Sequence, residues 1–135
     1  KLAAQNRKPL KYAYSTSVYV ELAIEYIQET YHQGIGISDI AGNIGISRAY
    51  LNSAFQKELE MSAQNFLINY KMHKAAILLV STSNSVKEVS NSVGYVDQLV
   101  FSKAFKKKFG MSPKNYKTHK EMMDKYNEKQ IDDPV

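Results

Sequence analysis

The chain has 135 residues, 44% of them hydrophobic, with no cysteine, a net charge of +5 and a pI of about 9.3. That length suits one compact unit or two very small subdomains, with enough apolar residues for a packed core. The lack of cysteine excludes disulfides, thiolate metal sites and cysteine nucleophiles and makes an intracellular setting natural, while no apolar run reaches the roughly 20 residues of a membrane span.

The basic balance is compatible with a polyanionic partner. Its distribution is uneven: "RKPLK" (Arg7 to Lys11) and "KAFKKKFG" (Lys103 to Gly110) are basic clusters, whereas the closing "IDDPV" is acidic. The chain opens on Lys1 without a signal-peptide pattern, as a fragment or processed chain would.

Residues 1–15 lack periodicity and include Pro9, so they read as a linker or arm. From Thr16 a helical pattern places Val18, Leu22, Ala23, Tyr26 and Ile27 on one face, with Ser15, Thr16 and Ser17 as possible N-caps and Gly34 and Gly36 at its end. Ser38 and Asp39 suit the start of a second helix facing inward through Ile40, Ala41 and Ile44, which Gly45 breaks. Ser47 is placed to cap a third, carrying Tyr50, Leu51, Ala54, Phe55 and Leu59. Ser62 is placed to cap a long fourth helix through Phe66, Leu67, Tyr70, Lys71, Ala75, Leu78 and Leu79, ended by the polar "STSNS". Ser85 then stands three residues before Glu88, a capping-box spacing. Val86, Val89 and Val93 form the buried face of this fifth helix, broken by Gly94. Asp97 can cap a sixth with Leu99, Phe101, Ala104, Phe105 and Phe109 along it, stopped by Gly110. Ser112-Pro113 opens a seventh. The expected fold is all-α, and the charged stretch over 118–135 is a polar tail that extends the last helix and then frays.

Two stretches repeat. Ile40, Ile44, Gly45 and Ile46 match Val89, Val93, Gly94 and Tyr95 at an offset of 49. Leu51, Phe55, Leu59, Met61 and Ser62 match Phe101, Phe105, Phe109, Met111 and Ser112 at an offset of 50, so the second copy carries one extra residue at its turn. Each copy is a short helix, a glycine turn and a longer helix, the helix-turn-helix arrangement. Ala41 and Ser90 supply the small residue where the two helices cross. Gly45 and Gly94 can take positive φ, and Ile46 or Tyr95 plugs the turn. The N-terminal outer face of the second helix stays free, and a DNA major groove is wide enough to admit it. One such pair is as well explained by plain helix packing; two matched copies joined by a long helix are far more specific.

"ISRAYLNSAFQKELEMS", then "KAAILL", then "VKEVSNSVGYVDQLVFSKAFKKKFGMSP" closely resemble the DNA-binding domain of AraC/XylS-type bacterial transcription regulators, over about residues 16–117. Val93, Gly94, Tyr95, Asp97, Phe101, Ser102, Phe105, Lys106, Lys107, Gly110, Ser112 and Pro113 stand where such proteins place their hallmark residues. The sequence departs from the pattern at Glu60 (usually glycine), Lys71 (usually arginine) and Ser90 (usually alanine). The resemblance implies seven helices in two helix-turn-helix subdomains, over 16–82 with the connecting helix and over 83–117, joined rigidly by that central helix. It implies two recognition helices in successive major grooves, about one turn or ~34 Å apart. It also implies a cytoplasmic, nucleoid-associated regulator, commonly an activator. RNA polymerase would be a partner, and effector binding and dimerisation would fall to a separate N-terminal domain absent from this sequence.

On the first recognition helix the outward residues are Arg48, Ala49, Asn52 and Ser53. The family's base-contacting positions map onto the last three, and Asn52 is the main candidate because asparagine can pair with adenine through two hydrogen bonds. On the second helix they are Gln98, Leu99, Ser102 and Lys103. Gln98 suits adenine, Lys103 suits guanine or a phosphate, and Ala49 and Leu99 suit thymine methyls. Phosphate contacts are expected from Lys57, Lys106 and Lys107 and from the helix starts at Ser38 and Ser85. For each of these residues a solvated surface side chain is the plainer explanation, and most of the ten tyrosines read as core or half-buried. His32, His73 and His119 lack metal-ligand spacing and no glycine-rich phosphate loop occurs, so no cofactor and no enzyme activity are expected. Two other functions fit the same composition: non-specific nucleic-acid binding, and a helical module whose basic face meets an acidic protein.

Overall fold

The computed structural model describes residues 12–132, with side chains as far as residue 129. The basic cluster from Arg7 to Lys11, most of the expected arm and the last three residues lie outside them. Seven α-helices and one short 3-10 turn make up the regular structure of the described residues, without a strand.

Helix α1 (Thr16–Thr30) starts where the Ser15 side chain accepts the Val18 N–H at 3.3 Å. It passes into a 3-10 turn, Tyr31–Gln33, which Gly34 ends at φ 71°. The expected apolar face is shifted. Tyr19 and Val20 are buried with Ala23 and Ile27, while Val18, Leu22 and Tyr26 are half-buried. The cause is that α1 packs on two helices at once, those over Ile37–Ile44 and Arg48–Leu59, so its buried face follows both.

Helix α2 (Ile37–Ile44) begins one residue ahead of Ser38. Gly36 is the N-cap, because the Asp39 carboxylate reaches back to accept its N–H at 2.8 Å. Ser38 and Asp39 therefore lie in the first turn of the helix, at the start the sequence suggests. Helix α3 (Arg48–Leu59) starts at Ser47, whose hydroxyl accepts the Tyr50 N–H at 3.0 Å. Helix α4 (Ala63–Ser81) starts at Ser62, which accepts the Asn65 N–H at 3.0 Å. Helix α5 (Val86–Ser92) has the expected capping box. Ser85 N–H donates to Glu88 Oε1 at 2.7 Å, and Glu88 N–H donates to Ser85 Oγ at 3.1 Å. Helix α6 (Gln98–Phe109) is capped by Asp97, and α7 (Pro113–Asp132) by Ser112.

The chain divides into two compact units, one ending at Tyr70 and one starting at Lys71. The division falls inside α4, so the C-terminal half of that helix belongs with the second unit, ahead of the polar break at which the sequence suggests a boundary. Tyr19, Ile27, Ile40, Leu51 and Phe55 anchor the core of the first unit. Met72, Leu79, Val89, Val93, Phe101 and Phe105 are fully buried in the second. There Phe105 and Phe109 lie 4.6 Å apart between ring centroids and both meet Tyr116. Lys117 Nζ donates to the Asn84 carbonyl at 2.9 Å, tying α7 to the turn before α5. Leu59, expected on the inward stripe of α3, is 37% exposed at the end of its helix, where the core no longer covers it.

The two turns are built alike. Gly45 (φ 80°) and Gly94 (φ 88°) are left-handed. Ala41 O accepts N–H groups from both Gly45 and Ile46, and Ser90 O accepts that of Tyr95 at 3.0 Å. Ala41 and Ser90 are both buried, as a small residue between packed helices must be. The Ser90 hydroxyl is buried without a hydrogen-bond partner among the described residues. The two longer helices also end alike, with Gly110 at φ 81° and Glu60 at φ 58°.

Two substitutions test this reading of the backbone. A left-handed conformation costs an L-residue roughly 1–2 kcal/mol, part of which glycine gives back through its freer unfolded chain. Glu60→Gly is therefore expected to raise stability by about 0.5–1 kcal/mol. Ser90→Ala removes a buried unpaired hydroxyl and is expected to gain about 1 kcal/mol or more. Urea unfolding of each variant measures both, and a loss of stability in either would contradict the geometry described.

Candidate nucleic-acid interface

A helix can enter a groove only with a face its own core does not need. In α3 the core takes Leu51, Ala54 and Phe55, and Arg48, Ala49, Asn52, Ser53, Gln56 and Lys57 are exposed. In α6 the core takes Phe101 and Phe105. Gln98, Leu99, Lys103, Lys106, Lys107 and Lys108 are exposed, and Ser102 is half-buried. Each candidate base-contacting side chain thus sits on the outer face of its helix, Ser102 at the margin.

The start of α3 is more engaged than its sequence suggests. Arg48 Nη1 donates to Ser38 Oγ at 3.5 Å, so Ser38 and Arg48 form one polar edge from two helices. Asn52 Oδ1 accepts the Ala63 N–H at 3.0 Å. An oxygen must accept there, which fixes the amide orientation and leaves Nδ2 outside that bond. Pairing with adenine through two hydrogen bonds needs both ends of the amide. The fold already uses one of them to satisfy the first turn of α4. Tyr50 is half-buried, its ring stacked on Tyr12 at 3.7 Å between centroids and 7° between planes. Tyr12 Oη also lies 3.3 Å from Ser47 Oγ, at the N-cap of α3. The segment before α1 is therefore fastened to the start of the first recognition helix, a contact 35 residues long in sequence and invisible to local pattern.

The start of α6 is built differently. Asp97 Oδ1 accepts the Leu99 N–H at 2.8 Å and holds the helix end. In front of it stand three apolar side chains: Val96 is 100% exposed, Leu99 70% and Val100 52%. In the sequence, Val96 and Val100 are marked only as apolar residues off the core stripe. At the far end, Lys106, Lys107 and Lys108 occupy the last turn, where cations also offset the negative end of the helix dipole. Behind the turn, Lys71 on α4 is only 7% exposed, with Nζ 5.2 Å from the centroid of the Tyr95 ring. Burial pushes the Lys71 ammonium below the usual lysine range and the Tyr95 phenol above the usual tyrosine range. The ring face compensates part of the lysine's lost hydration. Ser85 commits both its main-chain donor and its hydroxyl to the capping box, so its first role is to hold α5.

A helix-turn-helix domain model matches residues 40–119. The chain is 37% identical over 103 residues to the Msm operon regulatory protein of Streptococcus mutans, and 35% identical over 100 residues to the lactose operon transcription activator of Staphylococcus xylosus. These alignments cover 76% and 74% of the chain, but it spans only 37% and 36% of the two proteins. Among solved structures, the C-terminal domain of AraT, a response regulator from Geobacillus stearothermophilus, superimposes with a TM-score of 0.74 at 36% identity, covering 78% of this chain and 88% of that one. The xylose-binding transcription activator XylR gives a TM-score of 0.65 at 32% identity, covering 75% of this chain and 27% of that one.

The Asn52 contact has a consequence that needs no DNA. Asn52→Ala strips the acceptor from the Ala63 N–H and is expected to cost about 1 kcal/mol of folding stability, as loss of a helix cap does. Thermal or urea unfolding of the free protein measures it, and an unchanged midpoint would show that the side chain is not holding α4.

Proposed function

This chain belongs to the AraC/XylS family of helix-turn-helix transcription regulators, carrying that family's C-terminal DNA-binding domain, and we propose that it reads an asymmetric duplex site with two unlike helices. The observation that carries the reading is the pair of matched turns. Each leaves the N-terminal outer face of a capped helix, α3 or α6, uncovered by its own unit. In this proposal α3 contributes Arg48, Ala49, Ser53 and the Nδ2 group of Asn52, and α6 contributes Gln98, Leu99, Ser102 and Lys103. Arg48 and Lys103 suit guanine or phosphate, and Gln98 suits adenine. Lys57, Lys106 and Lys107 serve the phosphates, supplying affinity and register without sequence information. The two helices lie in successive major grooves, so the two sequence elements are about one helical turn apart.

The two curated relatives are named as operon regulators, one of them an activator of a lactose operon, and this chain's match spans 37% and 36% of their lengths, which supports placing this domain in a longer regulator. In that protein a further domain binds the effector and dimerises. DNA-bound regulator recruits RNA polymerase as an activator, on the nucleoid in the bacterial cytoplasm.

Two substitutions separate base reading from plain charge attraction. Lys103→Ala is expected to lose about 1–3 kcal/mol on the preferred duplex and much less on a scrambled one of equal length. Lys106→Ala is expected to weaken both equally and to lower the salt slope by about one phosphate contact. Fluorescence anisotropy across a salt series reads both. Equal losses on both duplexes for Lys103→Ala would assign that lysine to the backbone and reduce α6 to a non-specific contact.

A further inference from the structure

The two recognition helices differ most at their front ends, and the difference is apolar. Aligned through the repeat, Leu99 stands where α3 has Ala49, and Val100 stands where α3 has Tyr50. Tyr50 is covered by the stacked Tyr12 ring, but Val100 is half-open. Val96, in the residue-longer turn of the second copy, is fully exposed and contributes nothing to the core. Three apolar side chains thus project from one helix end, two of them one position apart on the outer face and the third just ahead of the cap. Val96 contributes no burial and the other two only part of theirs, and in water such exposed apolar side chains favour association.

We propose that Val96, Leu99 and Val100 form an apolar front that reads the 5-methyl groups of thymines in the element bound by α6. The methyl is the apolar feature that the major-groove edge of a base pair presents, and aliphatic side chains recognise it by contact. The charges on the same helix fit this occupant. Lys103 lies one turn behind Leu99, with Lys106 and Lys107 beyond it, so the front is flanked by groups that a polyanion attracts and an apolar protein surface does not need. The contrast with α3 gives the proposal its asymmetry: the front of α3 is polar, with Arg48, Asn52 and Ser53, and its one small apolar position is Ala49. The α6 element is therefore thymine-rich and methyl-dependent, and the α3 element is not. The inference rests on the two-reader function proposed above.

The test replaces thymine by deoxyuridine, which removes only the methyl and keeps base pairing. The probe is the duplex this chain enriches from a random pool, with thymines replaced in one element at a time. Replacement in the α6 element is expected to weaken binding by about fourfold for each methyl contacted. Replacement in the α3 element is expected to change it less than twofold. Leu99→Ser and Val96→Ser, at the two most exposed of the three positions, are each expected to shrink the difference between the thymine and deoxyuridine duplexes while changing the melting temperature little. An α6 element without thymine, or one indifferent to deoxyuridine while still bound in preference to scrambled DNA, would overturn the methyl reading and leave the two-reader function standing. Absence of any enriched duplex would overturn both.

Discussion

A short helix and the longer one after it can pack at a steep angle, each keeping a free outer face, where the chain reverses sharply between them, and a residue in the left-handed region makes that reversal. Gly45 and Gly94 do so at nearly the same angle. Each turn is then locked by the main chain. The carbonyl of the small crossing residue, Ala41 or Ser90, accepts the N–H of the plug residue, Ile46 or Tyr95. The small side chain lets the helices approach, the plug closes the gap, and the next helix starts at Ser47 or Asp97 with its outer face uncovered. Every candidate contact depends on this sequence of constraints. Enlarging the crossing residue or forbidding positive φ would displace the recognition helix as a whole.

Around that shared turn the two units diverge. The first is fastened by tyrosines, with Tyr12, Tyr19 and Tyr50 packed ring to ring at the start of α3. The second buries a lysine under its turn and holds it against the Tyr95 ring. A desolvated ammonium is costly, and arginine, with its more weakly hydrated planar head, suits such a stacked position better. The same divergence reaches the outer faces, polar at the front of α3 and apolar at the front of α6. A repeat that was kept identical would read a direct repeat in DNA; one that has diverged in this way suits two unequal elements.

Much of this was legible in the sequence because helix ends are local. A cap bonds three residues ahead or fewer, so Ser47, Ser62, Ser85, Asp97 and Ser112 could be placed from spacing alone, and the structure has each in that role. The start of α2 was legible to within one residue, but its cap was not, because the cap is a glycine whose N–H the Asp39 carboxylate reaches back to accept. Long-range contacts left no signal. Nothing local to Asn52 reveals that Ala63 needs its oxygen, and nothing near Tyr50 reveals Tyr12. Periodicity gave the direction of Leu59 but not the extent of the core beneath it. For the site, the outward positions could be read from the helical period, whereas their availability depends on neighbours distant in sequence.

The most direct test of the account is selection of this domain on a random duplex pool at ~0.15 M salt, where attraction to phosphates alone is partly screened. The account predicts enrichment of two short, unequal elements whose centres lie about one helical turn apart. Retention of DNA without enrichment, or enrichment of a single short element, would contradict it.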